Sequence, residues 1–482
     1  MHMNTILPMD DQALELERIF HQQKEAYSQQ PYPSLEQRKA QLQTLKELLV
    51  RHQDEIAEAI SQDFSNRSKD ETLLFELMTS ISGIKHSLKN LKKWMKPEKR
   101  DVGILFQPAK AYIRYQPVGV VGVVVPWNYP LFLAVGPLAQ AIAAGNRVML
   151  KMSEFTPVFS ALFKRLIAEN FSDDQICVVT GDAQVAQSFT ALGFDHLLFT
   201  GATSIGKHVL RAAAENMTPV TLELGGKSPA VVASDAELTE TAKRIVFGKA
   251  MNAGQTCVAP DYAFVHSSQV EQFITAYKAA LEQFYPGDIQ NNPDYTAIIS
   301  ERQFLRLQSY LTDAEQKGAN VILLKGEDSQ RRMAHRIVAG VSDDMLLMQN
   351  EIFGPVLPVV AYQSMDEVIE YINGHDRPLA LYYFGYNKAE QQRILNHTHS
   401  GGVCLNETLL HVGQEDMPFG GIGPSGMGHY HGVEGFKTFS HAKSVFERPK
   451  FSMMKLVYPP YGTAIQQWIY KLFIGTVKKL QK

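Results

Sequence analysis

Gly119-Val120-Val121-Gly122-Val123-Val124-Val125-Pro126 decides the fold. A nearly unbroken run of valine and glycine has no polar face to offer water, so it suits a strand covered on both sides in a parallel sheet. Just before it, Ile113-Arg114-Tyr115-Gln116 alternates like a strand. Downstream, strands and helices take turns. Residues 130–144 predict an apolar helix stopped by Gly145. Strands are predicted at 147–151, 176–179, 196–199 and 220–224, and helices at 155–170, 183–192 and 204–215. This order predicts a doubly wound, Rossmann-type α/β domain. A second alternating region runs from about Pro229 to Leu405, with helices at 237–249, 270–284 and 301–316 and a strand near 263–266. Two α/β units in one chain predict a ligand cleft between them.

Outside this core the patterning changes. In the first hundred residues, Leu14-Glu15-Leu16, 35–60 and 73–91 place apolar residues at helical spacing among many charges. Residues 420–435 are rich in glycine and histidine. Beyond Pro459-Pro460, Ile465, Trp468, Ile469, Leu472, Phe473 and Leu480 fall on or near one helix face, with Lys471, Lys478, Lys479 and Lys482 between them.

Composition narrows the function. The 482 residues suggest about two to four domains. With 45% hydrophobic and 20% charged residues, wholesale disorder is excluded. A formal net charge of −3 gives no basic surface for a nucleic-acid partner. Three cysteines cannot build a disulfide framework, and a reducing compartment is expected. Residues 1–20 hold no apolar core of signal-peptide length, and no apolar run is long enough for a transmembrane segment. The expected location is cytoplasmic.

Some motifs mislead. Gly201-Ala202-Thr203-Ser204-Ile205-Gly206-Lys207 has P-loop spacing, but His208 stands where a magnesium site needs a hydroxyl, so no triphosphatase is expected. The same turn, opening a helix, still suits a dinucleotide pyrophosphate. Gly421, Gly423 and Gly426 fit Gly-x-Gly-x-x-Gly only weakly, with Pro424 inside and no strand before. His397 with His399, and His429 with His431, lack metal-ligand partners; they read as surface or hydrogen-bonded side chains, and no metal is expected.

Three segments carry chemistry: Pro126-Trp127-Asn128-Tyr129-Pro130 and Glu223-Leu224-Gly225-Gly226-Lys227, each at a strand end, and Asn252-Ala253-Gly254-Gln255-Thr256-Cys257 after a helix. A lone cysteine is usually a small buried hydrophobe, and Cys177 and Cys404 sit in apolar runs that fit this. Cys257 follows small and polar residues, as on a loop that lets backbone approach a ligand. Glycines at 225 and 226 leave room beside Glu223 that a surface acid would not need.

These motifs resemble the aldehyde dehydrogenase superfamily: the Asn128 segment its catalytic asparagine motif, Glu223–Lys227 its glutamate signature, and Gly254–Cys257 its cysteine signature. The 34-residue separation of Glu223 and Cys257 matches it. Lys151-Met152-Ser153-Glu154, the 201–206 turn and Glu351-Ile352-Phe353-Gly354-Pro355 resemble its cofactor motifs. Pro418-Phe419-Gly420-Gly421 and the 425–432 segment resemble the class 3 branch, which includes fatty, aromatic and coniferyl aldehyde dehydrogenases. His429-Tyr430-His431 and Tyr458-Pro459-Pro460-Tyr461-Gly462 bring the chain nearest to the bacterial coniferyl group.

The resemblance implies a Rossmann-type NAD-binding domain with its N-terminal helices (1–108 and 121–226), an α/β catalytic domain (227–413), small oligomerisation strands (109–120 and 414–450) and a tail (451–482). It implies NAD(P)-dependent oxidation of an aldehyde, aromatic such as coniferaldehyde or fatty, to the acid. Cys257, Asn128 and Glu223 would be nucleophile, oxyanion donor and general base. Trp127, Lys151, Glu154, Thr200, Gly201, Ser204, Gly206, Leu224, Gly225, Glu351 and Phe353 would bind the cofactor. Lys151 and Glu154 would hold the adenosine ribose, Glu351 the nicotinamide ribose. The Glu154 carboxylate favours NAD, and Lys151 beside it keeps NADP open. A homodimer is expected, with the C-terminal helix packing on the partner, covering the substrate entrance or resting on a membrane. A thiol esterase and a non-enzymatic scaffold are the alternatives outside dehydrogenase chemistry; release of the acyl group to coenzyme A is the variant within it.

Overall fold

The computed structural model describes residues 9–451 and 453–475. The valine-glycine run forms strand Val120–Val124 inside a six-stranded sheet. Its spatial order is Gly426–Met427, Val220–Leu224, His196–Gly201, Val120–Val124, Arg147–Lys151 and Ile176–Val179. All pairs are parallel except the first. The chain winds outward from Val120–Val124 on one side, then returns to build the other. The direction therefore switches between Val120–Val124 and His196–Gly201, where carboxyl strand ends leave a crevice. Asn128 and the 201–206 turn follow those two ends. Gly122 permits the close packing here, since a Cβ would sit 2.7 Å from the Phe194 ring.

A seven-stranded sheet runs Asn320–Lys325, His335–Ala339, Val356–Tyr362, Tyr262–His266, Pro229–Val232, Ala380–Phe384, Gly402–Leu405. It is parallel beyond its first pair. A third sheet joins Glu98–Arg100, Lys110–Pro117 and Ser440–Glu447, antiparallel throughout. Ser440–Glu447 is its edge and is largely exposed.

Three expectations about local structure need correction. The helix expected over 35–60 breaks at His52 into Leu35–Arg51 and Gln53–Asp63. The one over 73–91 opens with a π-helical stretch, Leu73–Leu77, before Met78–Trp94. Within 414–450, where oligomerisation strands are expected, Gly432–Thr438 is a helix and the long strand starts only at Ser440; Phe436 packs its ring against Trp94 and Tyr115.

The helix Phe132–Ala144 is buried almost all round, so its end groups cannot rely on water. Its two poles are met by opposite charges from the N-terminal helices. Glu76 Oε2 accepts from the Leu131 and Phe132 N–H groups at 2.8 and 3.0 Å. Arg38 Nη1 donates to the Ala143 and Ala144 carbonyls at 3.0 and 2.8 Å. Both signs match the helix dipole. Gly145 closes the helix at φ 93°, where a Cβ would strike the Arg38 guanidinium. The N-terminal helices thereby fix the element that follows Asn128.

In the tail, helix Ala464–Phe473 buries only Gln466, which donates to the Leu456 and Tyr458 carbonyls. Ile465, Trp468, Leu472 and Phe473 are exposed. Lys478, Lys479, Leu480 and Lys482 lie outside the described residues. Among the described residues no helix is long and apolar enough to cross a membrane.

Candidate active site

A cleft of about 880 Å³ is lined from both large sheets, and Asn128, Glu223 and Cys257 all reach it. The loop carrying Cys257 is held in a costly shape. Asn252 and Ala253 have φ of 51° and Gly254 of 73°, three successive left-handed residues. Side chains within the loop hold it. Asn252 Nδ2 donates to the carbonyls of Asn128 and Gln255 at 3.0 and 3.1 Å. The fully buried Gln255 donates to Asn252 O and Ala297 O, and accepts from Ile299 N–H. Gly254 is required because a Cβ there would overlap the Gly354 carbonyl. Thr256 Oγ1 lies 2.8 Å from the Tyr129 hydroxyl. The cysteine loop is thus tied twice to the segment that carries Asn128.

Burial shifts both acidic groups of the site toward their protonated forms. Burial pushes the Cys257 thiol up to about 12, helped by the nearby Glu351 and Glu223 carboxylates. The backbone N–H groups of Cys257 and Val258 oppose the shift. Glu223 is 3% exposed, both its oxygens lack partners among the described residues, and burial alone holds it well above the usual carboxylate range. Asn128 is buried, and among the described residues no hydrogen bond uses its side-chain amide. At pH 7 a thiol near 12 is ionised to roughly one part in 10⁵. Iodoacetamide should therefore alkylate Cys257 of the cofactor-free enzyme slowly at pH 7, accelerating about tenfold per pH unit to pH 10. A plateau below pH 8 would show a thiolate already stabilised.

Around this centre, the cleft gathers most of the expected cofactor residues: Trp127, Thr200, Gly201, Ser204, Leu224, Gly225, Glu351 and Phe353. Glu351 rests on Gly225, where any Cβ would overlap its carboxylate, and the Gly226 N–H donates to it. Burial, then Asp261, raises Glu351 to about 8. Its loop is anchored by Arg306, donating to Ile352 O at 2.7 Å, and by Asp261, accepting from Ile352 N–H at 2.8 Å. Asp261 is itself paired with Lys227. Phe353, at φ 51°, sets its ring 5.3 Å from that of Trp127.

Gly206, Lys151 and Glu154 do not line this cleft. Gly206 lets the helix Thr203–Glu215 close on Leu224, since a Cβ would lie 2.7 Å from Leu224 Cδ2. Lys151 ends the strand Arg147–Lys151, buried, with Nζ donating to Met152 O at 2.8 Å. Glu154 follows it, exposed. The arrangement fits a dinucleotide. The amino end of Thr203–Glu215 lies on the cleft, its Ala202, Thr203 and Ser204 lining it. Thr200 Oγ1 is a buried hydroxyl without a partner in the same wall.

Two weak motifs gain a place. Pro424 and Ser425, inside the doubtful glycine motif, line the cleft, with Pro424 O accepting from Thr203 Oγ1 and Ser425 O from Leu224 N–H. His429 is exposed, but His431 corrects the surface-histidine reading: it is 2% exposed with both ring nitrogens unpartnered. Its ring stacks on Phe419 at 5.4 Å and meets Tyr430 and Phe132 edgewise. Burial raises the Tyr430 hydroxyl well above its ordinary range, and the charges of Glu223, Cys257 and Glu415 add to the shift. Cys404 is not simply apolar filling, since its Sγ lies 3.1 Å from His411 Nδ1. Sequence reasoning missed Arg67, Glu71 and Glu76 altogether. Arg67 sits in a loop and the two glutamates in the helical run that follows, a stretch dense with charge whose distant partners alone reveal them.

Comparison with known proteins places this geometry. A sequence profile for the "Aldehyde dehydrogenase family" matches residues 7–445. The chain is 58% identical over 460 residues to "Probable coniferyl aldehyde dehydrogenase" of Pseudomonas aeruginosa, covering 95% of this chain and 96% of that protein. It is 38% identical over 434 residues to "Aldehyde dehydrogenase family 3 member A2" of Pongo abelii, covering 89% and 88%. Among solved structures, "Substrate bound state of Staphylococcus Aureus AldH" superposes with a TM-score of 0.91 at 38% identity, over 95% of this chain and 99% of that one. An NAD+ complex of an aldehyde dehydrogenase from Bacillus cereus matches with a TM-score of 0.82 at 26% identity, over 91% and 89%.

Proposed function

The chain belongs to the aldehyde dehydrogenase family, and from that premise we propose that Cys257, Asn128 and Glu223 perform the oxidation on an aromatic aldehyde of the coniferaldehyde kind. The overall reaction, NAD(P)-dependent conversion of an aldehyde to its acid, is that of its relatives. The observation that carries the assignment is the convergence of these three side chains on the cleft that also holds Glu351, Phe353 and the 201–206 turn.

An aldehyde has no leaving group, so the chain must first make one carbon tetrahedral. Cys257 Sγ bonds to the carbonyl carbon and gives up its proton to solvent through the cleft. The oxygen becomes an oxyanion held by the free Asn128 amide and the Cys257 N–H. NAD, when bound against Glu351 and Phe353, would supply the hydride acceptor, and Cys257 would then carry the acyl group as a thioester. Glu223, as the carboxylate, takes a proton from the water that attacks the thioester carbon and passes it to the Cys257 sulfur as the S–C bond breaks and the acid leaves. Glu351 and Phe353 would orient the nicotinamide end, and the adenosine ribose would fall to Lys151 and Glu154 only by an approach from outside the cleft wall, which neither lines. The exposed Glu154 carboxylate repels a 2′-phosphate, and Lys151 turns back on its own backbone, so NAD is the preferred form.

The substrate reading draws on the printed name of the relative at 58% identity. Among coniferaldehyde, benzaldehyde, short alkanals and long alkanals, each with NAD and NADP, kcat/KM should be highest for coniferaldehyde with NAD. A higher value for long alkanals would overturn the substrate while leaving the chemistry. The same reading divides the chain at the boundaries given above and makes it a cytoplasmic homodimer through the open edge at Ser440–Glu447. A monomeric mass in light scattering would contradict the dimer.

A further inference from the structure

Behind the cleft lies a charge cluster that the mechanism above leaves unused. Arg67 is 1% exposed, Glu71 8% and Glu76 0%. Burying one cation with two carboxylates is expensive, and apolar residues of similar volume often serve stability as well or better. Stability alone therefore gives no reason for these residues.

Their contacts do. Arg67 Nη1 donates to Glu76 Oε1 at 2.8 Å and to the Asn128 carbonyl at 3.1 Å. Arg67 Nε lies 3.5 Å from Glu71 Oε1. Glu71 in turn accepts from the Asn252 backbone N–H, at the head of the cysteine loop, and from the Thr296 hydroxyl. Glu76 spends its second oxygen on the N–H groups that open helix Phe132–Ala144. The Arg67 guanidinium lies over the Tyr129 ring at 4.7 Å, and the Tyr129 hydroxyl reaches Thr256, next to Cys257. The Asn128 carbonyl thus receives two donors, Arg67 from the loop after the helix Gln53–Asp63 and Asn252 from the cysteine loop. Among the described residues, Arg67 is the one side chain that touches the Asn128 peptide directly and reaches the cysteine loop through both Glu71 and Tyr129.

We propose that Arg67 is a positioning residue, which holds the Asn128 amide and the Cys257 N–H in register as the two donors to the developing oxyanion. The proposal rests on the reading of Asn128 as an oxyanion donor given above. An arginine suits this place because Nη1 bonds both Glu76 and the Asn128 carbonyl while Nε, on the same rigid plane, keeps an ion pair with Glu71. A lysine ammonium is a single point charge on a flexible stem and cannot hold all three. Errors of about 1 Å in such a site cost roughly 10²-fold in rate.

A double-mutant cycle on the full-length enzyme tests this, read as the single-turnover rate of NADH formation with saturating NAD and coniferaldehyde. Asn128→Ala should slow that step roughly 10²–10³-fold. Arg67→Lys should slow it roughly 10²-fold, with the KM for NAD within about twofold of wild type. Because both remove the same stabilisation, Arg67→Lys in the Asn128→Ala background should slow the step no more than about threefold further. Multiplying effects, or an Arg67→Lys rate equal to wild type, would overturn the proposal. An Asn128→Ala rate equal to wild type would instead overturn the oxyanion reading on which it rests. Should Arg67→Lys show no cooperative thermal transition, Glu71→Gln takes its place. It keeps the shape and weakens the link from Arg67 to Asn252, so its smaller slowing must also vanish in the Asn128→Ala background. A slowing that persists there would overturn the proposal.

Discussion

Cys257→Ala is expected to lower NADH production by at least about 10⁴-fold, because removing a nucleophile leaves only binding and oxyanion stabilisation. Cofactor affinity should stay nearly unchanged. The groups placed on the cofactor, Glu351 on Gly225 and the amino end of Thr203–Glu215, are held by Arg306, Asp261 and Leu224, none of which depends on the thiol. Titration of the variant with NAD, followed by tryptophan fluorescence, checks the second half. Cys177 and Cys404 are the controls. Cys177 lies in the strand Ile176–Val179, and Cys404 in the strand Gly402–Leu405 against His411. Replacing either by alanine should keep turnover and cost only modest stability. Substantial NADH from Cys257→Ala would remove it from the mechanism.

Glu223→Gln should slow steady-state turnover about 10²–10⁴-fold, the range for loss of a general base. The loss should fall mainly on thioester hydrolysis. The substitution keeps the size of a side chain that has no protein partner to lose, so the fold should tolerate it. Rapid mixing with aldehyde and NAD should then give a burst of NADH followed by slow turnover. A missing burst, with the first turnover itself slowed, would shift the main task of Glu223 to taking the thiol proton.

Much of the fold was legible because its signals are local. The strands Arg147–Lys151, Ile176–Val179 and Val220–Leu224 and the helices Val270–Phe284 and Glu301–Gln316 carry their periodicity and their stops within a few residues. The site motifs were legible for a related reason: left-handed backbone at 252–254 demands small or amide residues, and Glu351 demands Gly225. What stayed hidden depends on distant partners. Arg67 meets Asn128 across 61 positions, and Glu76 meets Leu131 across 55. In a stretch dense with charge, nothing separates such side chains from solvated neighbours. His431 was hidden by its company. A Gly-His-rich stretch reads as surface, yet Phe132 and Phe419 cover the ring from elsewhere in the chain.

The central claim is that the oxidised substrate is held on Cys257 before water releases it. Glu223→Gln, mixed with NAD and coniferaldehyde, quenched in acid at the end of the burst and digested, gives the most direct test by peptide mass. The account predicts that the peptide containing Cys257 gains the mass of the coniferyl acyl group, at a level matching the NADH formed, and that peptides containing Cys177 and Cys404 stay unmodified. An NADH burst with no acyl mass on the Cys257 peptide, or with that mass on another residue, would contradict it.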